Sequence, residues 1–214
     1  LPQLTPGDQL LADALTARGA AVSAVTWSSP VDWDRFTAIV VRSTWDYFLR
    51  RAEFTGWLDE LERHSAPIWN PVRTLRWNHD KRYLRELEIA GVPVVPTVWV
   101  ARGSGAELRG IADAATWNDV VVKPAISASA HDTWRTTDPG NAEDAARFKA
   151  QSAAGDLLVQ LYLPAIERTG EWSLVFIEGR FTHAVRKLPR AGDFRVQAQH
   201  GGTAVSESPP SQLV

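Results

Sequence analysis

The four lysines of this sequence are the first candidates for chemistry, because three of them lie where a predicted strand or helix meets a turn. Lys81 follows Asn78-His79-Asp80, Lys123 ends a Val-Val-Val strand, and Lys187 lies near the end of another strand. An ammonium group is a compact point charge on a flexible stem, which suits phosphate oxygens that move during a reaction. Lys123 is the strongest candidate, since a cation that ends a buried strand must point into a cleft or be paired. A solvated surface charge is the alternative for each lysine and is our interpretation of Lys149.

A run of small and polar residues follows Lys123 and extends to Thr133, with Ser127 and Ser129 among them. Small residues let a backbone approach a ligand closely, and the N–H groups of such a loop can bind phosphate. The run contains no glycine. An ordinary polar loop is therefore the competing interpretation, and His131, which has no partner at metal-ligand spacing, is interpreted as a loop residue.

A polar segment from Arg42 to Tyr47 follows a second predicted strand. Ligands of open α/β sheets bind at the carboxyl ends of the strands. Arg42 could therefore pair with a substrate carboxylate and Asp46 with a substrate amine. A structural Arg42–Asp46 pair is an equally good interpretation.

The elements that must position these residues form two groups, which meet near residue 70. In the first group a helix begins at the cap Asp8 and stops at Gly19, and a second helix carries apolar residues at helical spacing. The apolar residues of this second helix are Phe54, Trp57, Leu58 and Leu61. Strands are predicted at 21–27, 38–42 and 68–70. This alternation predicts a small parallel α/β domain.

The second group has a different organisation and begins after Pro71. Its predicted helices are 80–90 and 142–153, and its predicted strands are 97–100, 119–124, 157–163, 172–178, 180–187 and 194–199. The Glu178-Gly179 junction predicts a tight hairpin between two of these strands.

Composition excludes several classes of function. The 214 residues carry a net charge of -2, are 44% hydrophobic and include no Cys, which removes disulfides, thiolate zinc sites and cysteine nucleophiles. No basic block favours nucleic acid or an anionic membrane surface, and the ten Trp lie mostly in apolar patterns typical of a core. No transmembrane span or signal peptide is visible, so we expect a cytoplasmic protein without a membrane or nucleic-acid partner. Because the sequence begins at Leu1 and its last residues, 209–214, have the pattern of a helix start, we expect it to be incomplete at both ends.

Ordered motifs along the chain resemble those of ATP-grasp ligases. These motifs are Asn78-His79-Asp80-Lys81-Arg82-Tyr83-Leu84, Val121-Val122-Lys123-Pro124 with its small-residue loop, and the run from Leu158 to Glu167. The later motifs are similar to the bacterial glutathione synthetase branch, which includes cycloserine-forming ligases; they are 170–174, 186–189, 192–197 and Gly201-Gly202. The resemblance covers nearly the whole chain and is carried by the order and spacing of the motifs.

This resemblance implies an α/β protein of the ATP-grasp fold. Residues 1–70 would form an N-terminal Rossmann-like, pre-ATP-grasp domain. Residues 71–214 would form the ATP-grasp domain, with two α+β subdomains, the ATP cleft between them and the C-terminal part missing.

The resemblance also implies roles for individual residues. Lys81 and Lys123 would hold the ATP phosphates from two sides, and the loop 126–133, with Ser127 and Ser129, would close over them. The remaining nucleotide residues would be Gln160 and Leu163 at the adenine edge and Glu167 near the ribose hydroxyls. The residues for the transferring phosphoryl group and the substrate carboxylate would be Lys187, Arg195 and Arg186. The alternatives are cations on the surface of a hairpin and, for Glu167, a solvated turn.

The implied activity is an ATP- and Mg²⁺-dependent ligation of a carboxylate to an amine through an acylphosphate. Bringing two anions together costs roughly 4 kcal/mol per close charge pair at an effective dielectric near 20, so several fixed cations are required. Positioning and fixed charge do most of the work in phosphoryl transfer, and no side-chain nucleophile is needed. The substrate would be small and amino-acid-like, and the reaction either joins two molecules or closes a ring within one. Whether the protein is a homo-oligomer stays open.

Three features depart from the family pattern. The loop has Ser-Ala-Ser-Ala at 127–130, where the family often has glycines, and Gln197 replaces an expected Asn. The magnesium ligands of the family are expected beyond Val214, so no metal residue is named. The first two departures support an alternative function, a non-catalytic nucleotide-binding protein of the same fold.

Overall fold

The computed structural model describes residues 3–213. They form two compact units: the first contains 3–94 and 125–128, and the second contains 95–124 and 129–213. In this range, no helix combines the length and the apolar character that crossing a membrane requires.

The first unit is built from short strands and helices around a small parallel sheet. Its elements are α1 (Pro6–Thr16), β1 (Ile39–Val40), α2 (Arg51–Leu61), β2 (Ile68–Trp69), α3 (Val72–Asn78) and α4 (Tyr83–Ile89), with a 3₁₀ turn at Trp33–Arg35. The strands β1 and β2 are parallel, with Ile39 opposite Ile68 and Val40 opposite Trp69. The parallel α/β character expected from the sequence is therefore present.

The core of the first unit is aromatic. The four apolar residues of α2 that were recognised by their spacing are all buried, which confirms that prediction. They pack with Trp27, Trp33, Ile39, Val41 and Val72. Trp27 meets Phe54 edge-on, with ring centres 5.4 Å apart, an arrangement that aromatic pairs favour.

Two predictions in this unit are wrong. Asp8 does not cap α1: the helix begins at Pro6, and the hydroxyl of Thr5 accepts the capping hydrogen bond from the Asp8 N–H. Asp8 is buried in the first turn instead. The predicted strand at 21–27 is not formed: Val22 and Val25 are exposed, and no described residue pairs with this segment in a sheet.

The second unit contains an antiparallel sheet of four strands in the order β3-β6-β4-β5. The strands are β3 (Thr97–Val100), β4 (Val120–Pro124), β5 (Trp134–Thr136) and β6 (Leu157–Leu161), with helices α5 (Leu108–Ala115) and α6 (Ala142–Ala154). One face of the sheet forms the core with both helices; its buried residues are Val100, Leu108, Val120, Val122, Trp134, Phe148, Leu157 and Val159.

The strand register places the polar residues of this sheet on its other face. Val121 lies opposite Gln160 on β6 and opposite Arg135 on β5, and Lys123 lies opposite Leu158. Side chains alternate between the two faces of a strand. Since Val120 and Val122 belong to the core, Lys123, Gln160 and Arg135 share the opposite face.

A second sheet follows in the same unit, after the short helix α7 (Ala165–Thr169). It contains β7 (Glu171–Ile177), β8 (Arg180–Leu188) and β9 (Thr203–Ser206) in sequence order. Glu178 and Gly179 both have positive φ, 51° and 75°, as a tight hairpin turn requires, so the predicted hairpin is confirmed. A bulge between Val175 and Phe176 shifts the register and brings Glu171 opposite Lys187.

The predicted strand at 194–199 is wrong, and the third strand of this sheet is β9. The chain turns at Asp193, whose carboxylate accepts a hydrogen bond from the Arg195 N–H at 2.9 Å. A 3₁₀ turn at Ala198–His200 comes next. This local side-chain bond competes with strand pairing, which explains the miss.

Gly170, immediately before β7, occupies a position that has no room for a side chain. Its φ is +83°, and a Cβ there would lie 2.6 Å from the Lys187 carbonyl oxygen. We expect Gly170→Ala to lower the free energy of unfolding by roughly 2–4 kcal/mol, measured by urea denaturation. The matched control is Gly56→Ala inside α2, where a Cβ meets nothing within 4 Å. This variant should gain about 0.5–1 kcal/mol, and equal effects of the two variants would contradict the packing described.

Candidate nucleotide and phosphate site

One carboxylate of the second unit, that of Glu171, interacts electrostatically with two lysines. Lys187 Nζ donates to Glu171 Oε1 at 3.3 Å across the β7–β8 pair. Lys123, at the end of β4, is largely removed from water; burial lowers its pKa, and the negative charge of Glu171 partly opposes that shift. Cations that are fixed before a reaction are suited to binding phosphate oxygens. Sequence reasoning assigned no role to Glu171, because a regular hairpin continued from the Glu178-Gly179 turn would place Arg186 opposite it, and only the bulge brings Lys187 there.

Lys81 is positioned in the first unit by the segment 125–128. Its N–H donates to the Ala125 carbonyl at 2.8 Å, and its Nζ donates to the Ser127 carbonyl at 2.7 Å. The Tyr47 hydroxyl approaches the same Ser127 oxygen at 3.4 Å. Ser127 itself is buried. The sequence placed both Lys81 and Ser127 near phosphate, and the structure brings these two residues together.

The next residues of the small-residue loop adopt a strained backbone. Ser129, Ala130 and Asp132 have φ of 54°, 58° and 55°, in the left-handed region that favours glycine. Each non-glycine residue there costs about 1–2 kcal/mol. The Ser129 carbonyl lies 3.2 Å from Gln199 Nε2 and accepts a hydrogen bond from it. His131 lies beside Asp132, with Nε2 3.3 Å from a carboxylate oxygen, as a loop residue.

The residues predicted for the adenine edge lie on β6 and just after it. Gln160 is buried, and its Nε2 donates to Thr97 Oγ1 on β3 at 2.8 Å. The Leu163 carbonyl accepts a hydrogen bond from the Ile166 N–H at 3.0 Å, at the start of α7. The Gln160 amide and the Leu163 carbonyl therefore each make a hydrogen bond within the protein.

Glu167, on α7, is bonded to two side chains. Arg135 Nη1 donates to Glu167 Oε1 at 2.6 Å, and the Tyr162 hydroxyl donates to the same oxygen. Sequence reasoning missed Arg135 and Tyr162, because neither lies in a recognisable spacing with Glu167.

Arg195 and Arg186 each have an acidic partner. Arg195 binds both carboxylate oxygens of Asp193, with Nη2 at 2.7 Å, and these bonds hold the pKa of Asp193 well below its usual range. Arg186 Nε donates to Glu207 at 2.7 Å, and its guanidinium lies 5.9 Å from the Trp172 ring centre. Arg186 and Lys187 are neighbours on β8, so their side chains point to opposite faces of that sheet.

A polar cleft of about 700 Å³ in the second unit contains two of the predicted site residues, Glu167 and Arg195. Its other lining residues are Thr133, Trp134, Arg135, Thr136, Thr137, Asp138, Asn141, Asp144, Arg147, Gly192, Asp193 and Phe194. The size is that of a pocket for a ligand of drug or cofactor dimensions.

The substrate candidates Arg42 and Asp46 lie in the first unit and do not pair with each other. Arg42 Nε donates to Asp8 Oδ1 at 2.6 Å, and Asp46 accepts from Trp27 Nε1 at 2.7 Å. The structural alternative, an Arg42–Asp46 pair, is therefore wrong. The Ser43 hydroxyl donates to Asp8 Oδ2 at 2.5 Å and, with the Thr5 and Arg42 bonds, lowers the pKa of Asp8 to about 2.

Two family models cover most of the chain. Residues 1–70 match the N-terminal domain of D-cycloserine synthetase DcsG, and residues 92–210 match the ATP-grasp domain of prokaryotic glutathione synthetase. The chain belongs to the prokaryotic glutathione synthetase ATP-grasp family. The resemblance and the fold class inferred from the motifs are confirmed.

Individual relatives of this ATP-grasp chain agree with the family models. The chain is 35% identical over 184 residues to the cycloserine biosynthesis protein DcsG of Streptomyces lavendulae, covering 83% of this chain and 60% of that protein. It thus spans less than two thirds of this relative. The crystal structure of D-cycloserine synthetase DcsG superposes with a TM-score of 0.82 at 30% identity, over 95% of this chain and 70% of that one. The ATP-grasp ligase PsnB shares the fold, with a TM-score of 0.60 at 18% identity over 98% and 76% of the chains.

The magnesium ligands of an ATP-grasp enzyme are not found between residues 3 and 213. In this range, no three His, Asp or Glu side chains are grouped so that they could hold a metal ion. The described residues therefore do not fit a magnesium site, and we derive no step through the metal.

The departure at Gln197 has a structural counterpart in this ATP-grasp domain. Its Oε1 is buried, and no described residue donates a hydrogen bond to it. A buried acceptor without a partner costs about 1–3 kcal/mol. The position that replaces the expected Asn thus carries an unsatisfied group two residues after Arg195.

Proposed function

We propose that this chain is part of an ATP-dependent ligase that joins a carboxylate to an amine on a small, amino-acid-like substrate. One observation carries the proposal: within the ATP-grasp domain, Lys187 bonds Glu171, and the charge of the same carboxylate acts on the largely buried Lys123. Desolvated cations interact strongly with phosphate oxygens, because water screens them little. Membership of the ATP-grasp family supports ATP as the source of the phosphoryl group. We also propose the domain division at residue 70 and retain Mg²⁺ as the metal of the whole protein.

The proposed reaction has two steps. A carboxylate oxygen of the substrate attacks the γ-phosphorus of ATP, the bond to the β-phosphate oxygen breaks, and ADP leaves. The amine then attacks the carbonyl carbon of the acylphosphate, inorganic phosphate leaves with the bonding electrons, and the amine nitrogen loses a proton. The first step brings two anions together, and fixed cations near the phosphates would offset their repulsion.

Residue roles follow the arrangement within each unit. We assign Lys123 to the phosphates, Lys187 and Arg195 to the transferring phosphoryl group and Glu167 to the ribose. The further assignments are Lys81, Ser127 and Ser129 for phosphate, Gln160 and Leu163 for adenine, and Arg42, Asp46 and Arg186 for the substrate. The fixed guanidinium of Arg42 suits a carboxylate, because Asp8 contacts it through Nε rather than through its two terminal nitrogens.

The substrate proposal comes from the relatives. The name D-cycloserine synthetase describes an enzyme that makes a cyclic amino-acid derivative. We propose the same class here, a small amino acid whose carboxylate is joined by ring closure to a nitrogen of its own side chain.

The test uses the full-length protein with ATP, Mg²⁺ and a panel of amino acids and ureido-amino acids, with ADP and phosphate release as readouts. Release of one ADP and one phosphate per product, dependent on one class of substrate, is the expected result. If no member of the panel releases ADP above the background of ATP alone, the ligase proposal fails.

A non-catalytic nucleotide-binding protein is the second candidate. Two observations favour it. The loop residues Ser129, Ala130 and Asp132 hold a strained backbone where the family often has glycines that let the loop move. The side chain of Gln197, which replaces an expected Asn, has a buried oxygen without a hydrogen-bond donor among the described residues. Tight ATP binding without ADP release on any substrate would support this candidate.

A further inference from the structure

A network of three residues fixes the carboxylate of Glu167 in the second unit. Arg135 on β5 bonds both oxygens of Asp119, through Nε at 2.8 Å and Nη2 at 2.7 Å. Its remaining terminal nitrogen, Nη1, donates to Glu167 Oε1 at 2.6 Å. The guanidinium carbon of Arg135 lies 3.4 Å from the centre of the Tyr162 ring, and the Tyr162 hydroxyl also donates to Glu167 Oε1.

Both donors of this network bond the same oxygen of Glu167. The second oxygen, Oε2, takes part in neither bond, and Glu167 is one of the residues that line the cleft. Its side chain is 43% exposed, so a ligand can reach it. The network thus holds one oxygen and leaves the other for hydrogen bonds from a molecule in the cleft.

The chemistry of the cleft favours a neutral, hydroxyl-bearing group next to Glu167. The positive and negative charges of the lining residues nearly cancel. The cations are Arg135, Arg147 and Arg195, and the anions are Asp138, Asp144, Glu167 and Asp193. A carboxylate repels phosphate and accepts hydrogen bonds from hydroxyl groups. A ribose, with two adjacent hydroxyls, meets both conditions.

We propose that Arg135 and Tyr162 are positioning residues that hold Glu167 for the ribose hydroxyls of the bound nucleotide. This inference rests on the proposed function, which assigns Glu167 to the ribose. A free glutamate would lose rotamer freedom on binding, and a glutamate already fixed by its neighbours does not. Asp119 supports the network by holding the guanidinium of Arg135.

Tyr162 is suited to this role because it keeps its proton. Burial and the bond to Glu167 raise the pKa of Tyr162 to about 12, although the charge of Arg135 opposes the shift. The hydroxyl therefore stays a donor over the whole range in which the protein would act. Phe194 packs against the Tyr162 ring in an edge-on contact, with centres 6.2 Å apart, and limits its rotation.

The test compares equilibrium binding of ATP, 2′-deoxy-ATP and 3′-deoxy-ATP to the full-length protein by calorimetry. The wild type should prefer ATP over at least one deoxy analogue by about tenfold or more, as expected for a hydrogen bond to a charged acceptor. Tyr162→Phe keeps the ring against Arg135 and removes only the hydroxyl; we expect the preference to fall to about threefold or less. Arg135→Gln should also reduce the preference for ATP, and Glu167→Gln should show the smallest preference of these variants.

The control is Arg76→Gln. Arg76 also bonds two carboxylates, those of Asp59 and Glu62, and it is not among the lining residues of the cleft. Its substitution should leave the ratio of the dissociation constants unchanged. A ratio between two nucleotides also cancels any general loss of folded protein, so it separates positioning from a purely structural effect.

The outcomes distinguish this inference from the proposed function. A wild-type protein that binds no ATP would overturn both. ATP binding with equal affinity for the deoxy analogues would overturn the inference alone, as would a Tyr162→Phe variant that keeps the full preference for ATP. A reduced preference in Tyr162→Phe and Arg135→Gln, with Arg76→Gln unchanged, would support it.

Discussion

Lys123→Met in the full-length protein is expected to lower kcat/KM for substrate-dependent ADP release by at least about 100-fold, the usual effect of removing one fixed group that stabilises transition-state charge. Methionine preserves most of the length and apolar surface of the lysine stem and removes only the cation. Burial keeps much of the Lys123 side chain away from water, so water weakens its attraction for phosphate less than that of an exposed lysine. Calorimetric ATP binding and ADP release under the same conditions measure the effect.

The same substitution should not destabilise the fold. Burial lowers the pKa of Lys123 below 10.5, which means that the folded state carries a cost for the ammonium at neutral pH. This cost is fully present below the folded pKa and vanishes as the pH rises past the pKa of the unfolded chain. The Lys123→Met variant should therefore match or exceed the wild type in urea unfolding at pH 7, and this advantage should shrink toward pH 10.

Lys149→Met is the matched control, because Lys149 is an exposed residue of α6. Neither activity nor stability should change by more than about 0.5 kcal/mol. If Lys123→Met retained wild-type ADP release, Lys123 would not contact the phosphates. The interaction of Lys123 and Lys187 with Glu171 would then no longer support the proposed function.

Lys187→Met is expected to lower kcat by about 100-fold or more while changing the dissociation constant for ATP by less than about tenfold. Lys123 remains in this variant and retains most of the binding, whereas the charge assigned to the transferring phosphoryl group is lost. Single-turnover ADP release and calorimetric binding separate the two quantities. An equal loss in binding and in turnover would instead mean that Lys187 binds the ground state.

Removing Lys187 also leaves Glu171 without its partner at 3.3 Å. Without the charge of Lys187 beside it, this carboxylate would repel phosphate more strongly and weaken ATP binding for a reason unrelated to catalysis. The double variant Lys187→Met with Glu171→Gln removes this carboxylate. We expect it to restore ATP binding and not kcat. Arg180→Gln, at the exposed start of the same strand, is the control for a general effect on β8.

The sequence was sufficient where local spacing decides the structure. Phe54, Trp57, Leu58 and Leu61 are one helical face, and all are buried. The Glu178-Gly179 turn follows from the backbone preferences of two residues. The position of Lys123 after three valines predicted a cation in a cleft or in a pair, and in the structure this side chain is largely removed from water.

The sequence was not sufficient where distant residues decide the structure. Asp8 has the residue type of a helix cap, yet it is buried because Arg42 and Ser43, more than thirty positions away, bond its carboxylate. Arg135 likewise meets Asp119 and Glu167 only because β4, β5 and β6 become neighbours in the sheet. No periodicity in the chain records such contacts.

The bulge between Val175 and Phe176 has a consequence for insertions and deletions in this family. Before the bulge Phe176 pairs with Phe181, and after it Val175 pairs with His183, so Thr182 is the extra residue of β8. Loss of Thr182 would restore a regular ladder and keep Lys187 opposite Glu171. If Thr182 were instead kept and paired with Val175, Arg186 would lie opposite Glu171 and Lys187 would turn to the other face of the sheet. The extra residue Thr182 thus decides which cation faces Glu171 in a chain of this length: the flexible ammonium of Lys187 with the bulge, or the planar guanidinium of Arg186 without it.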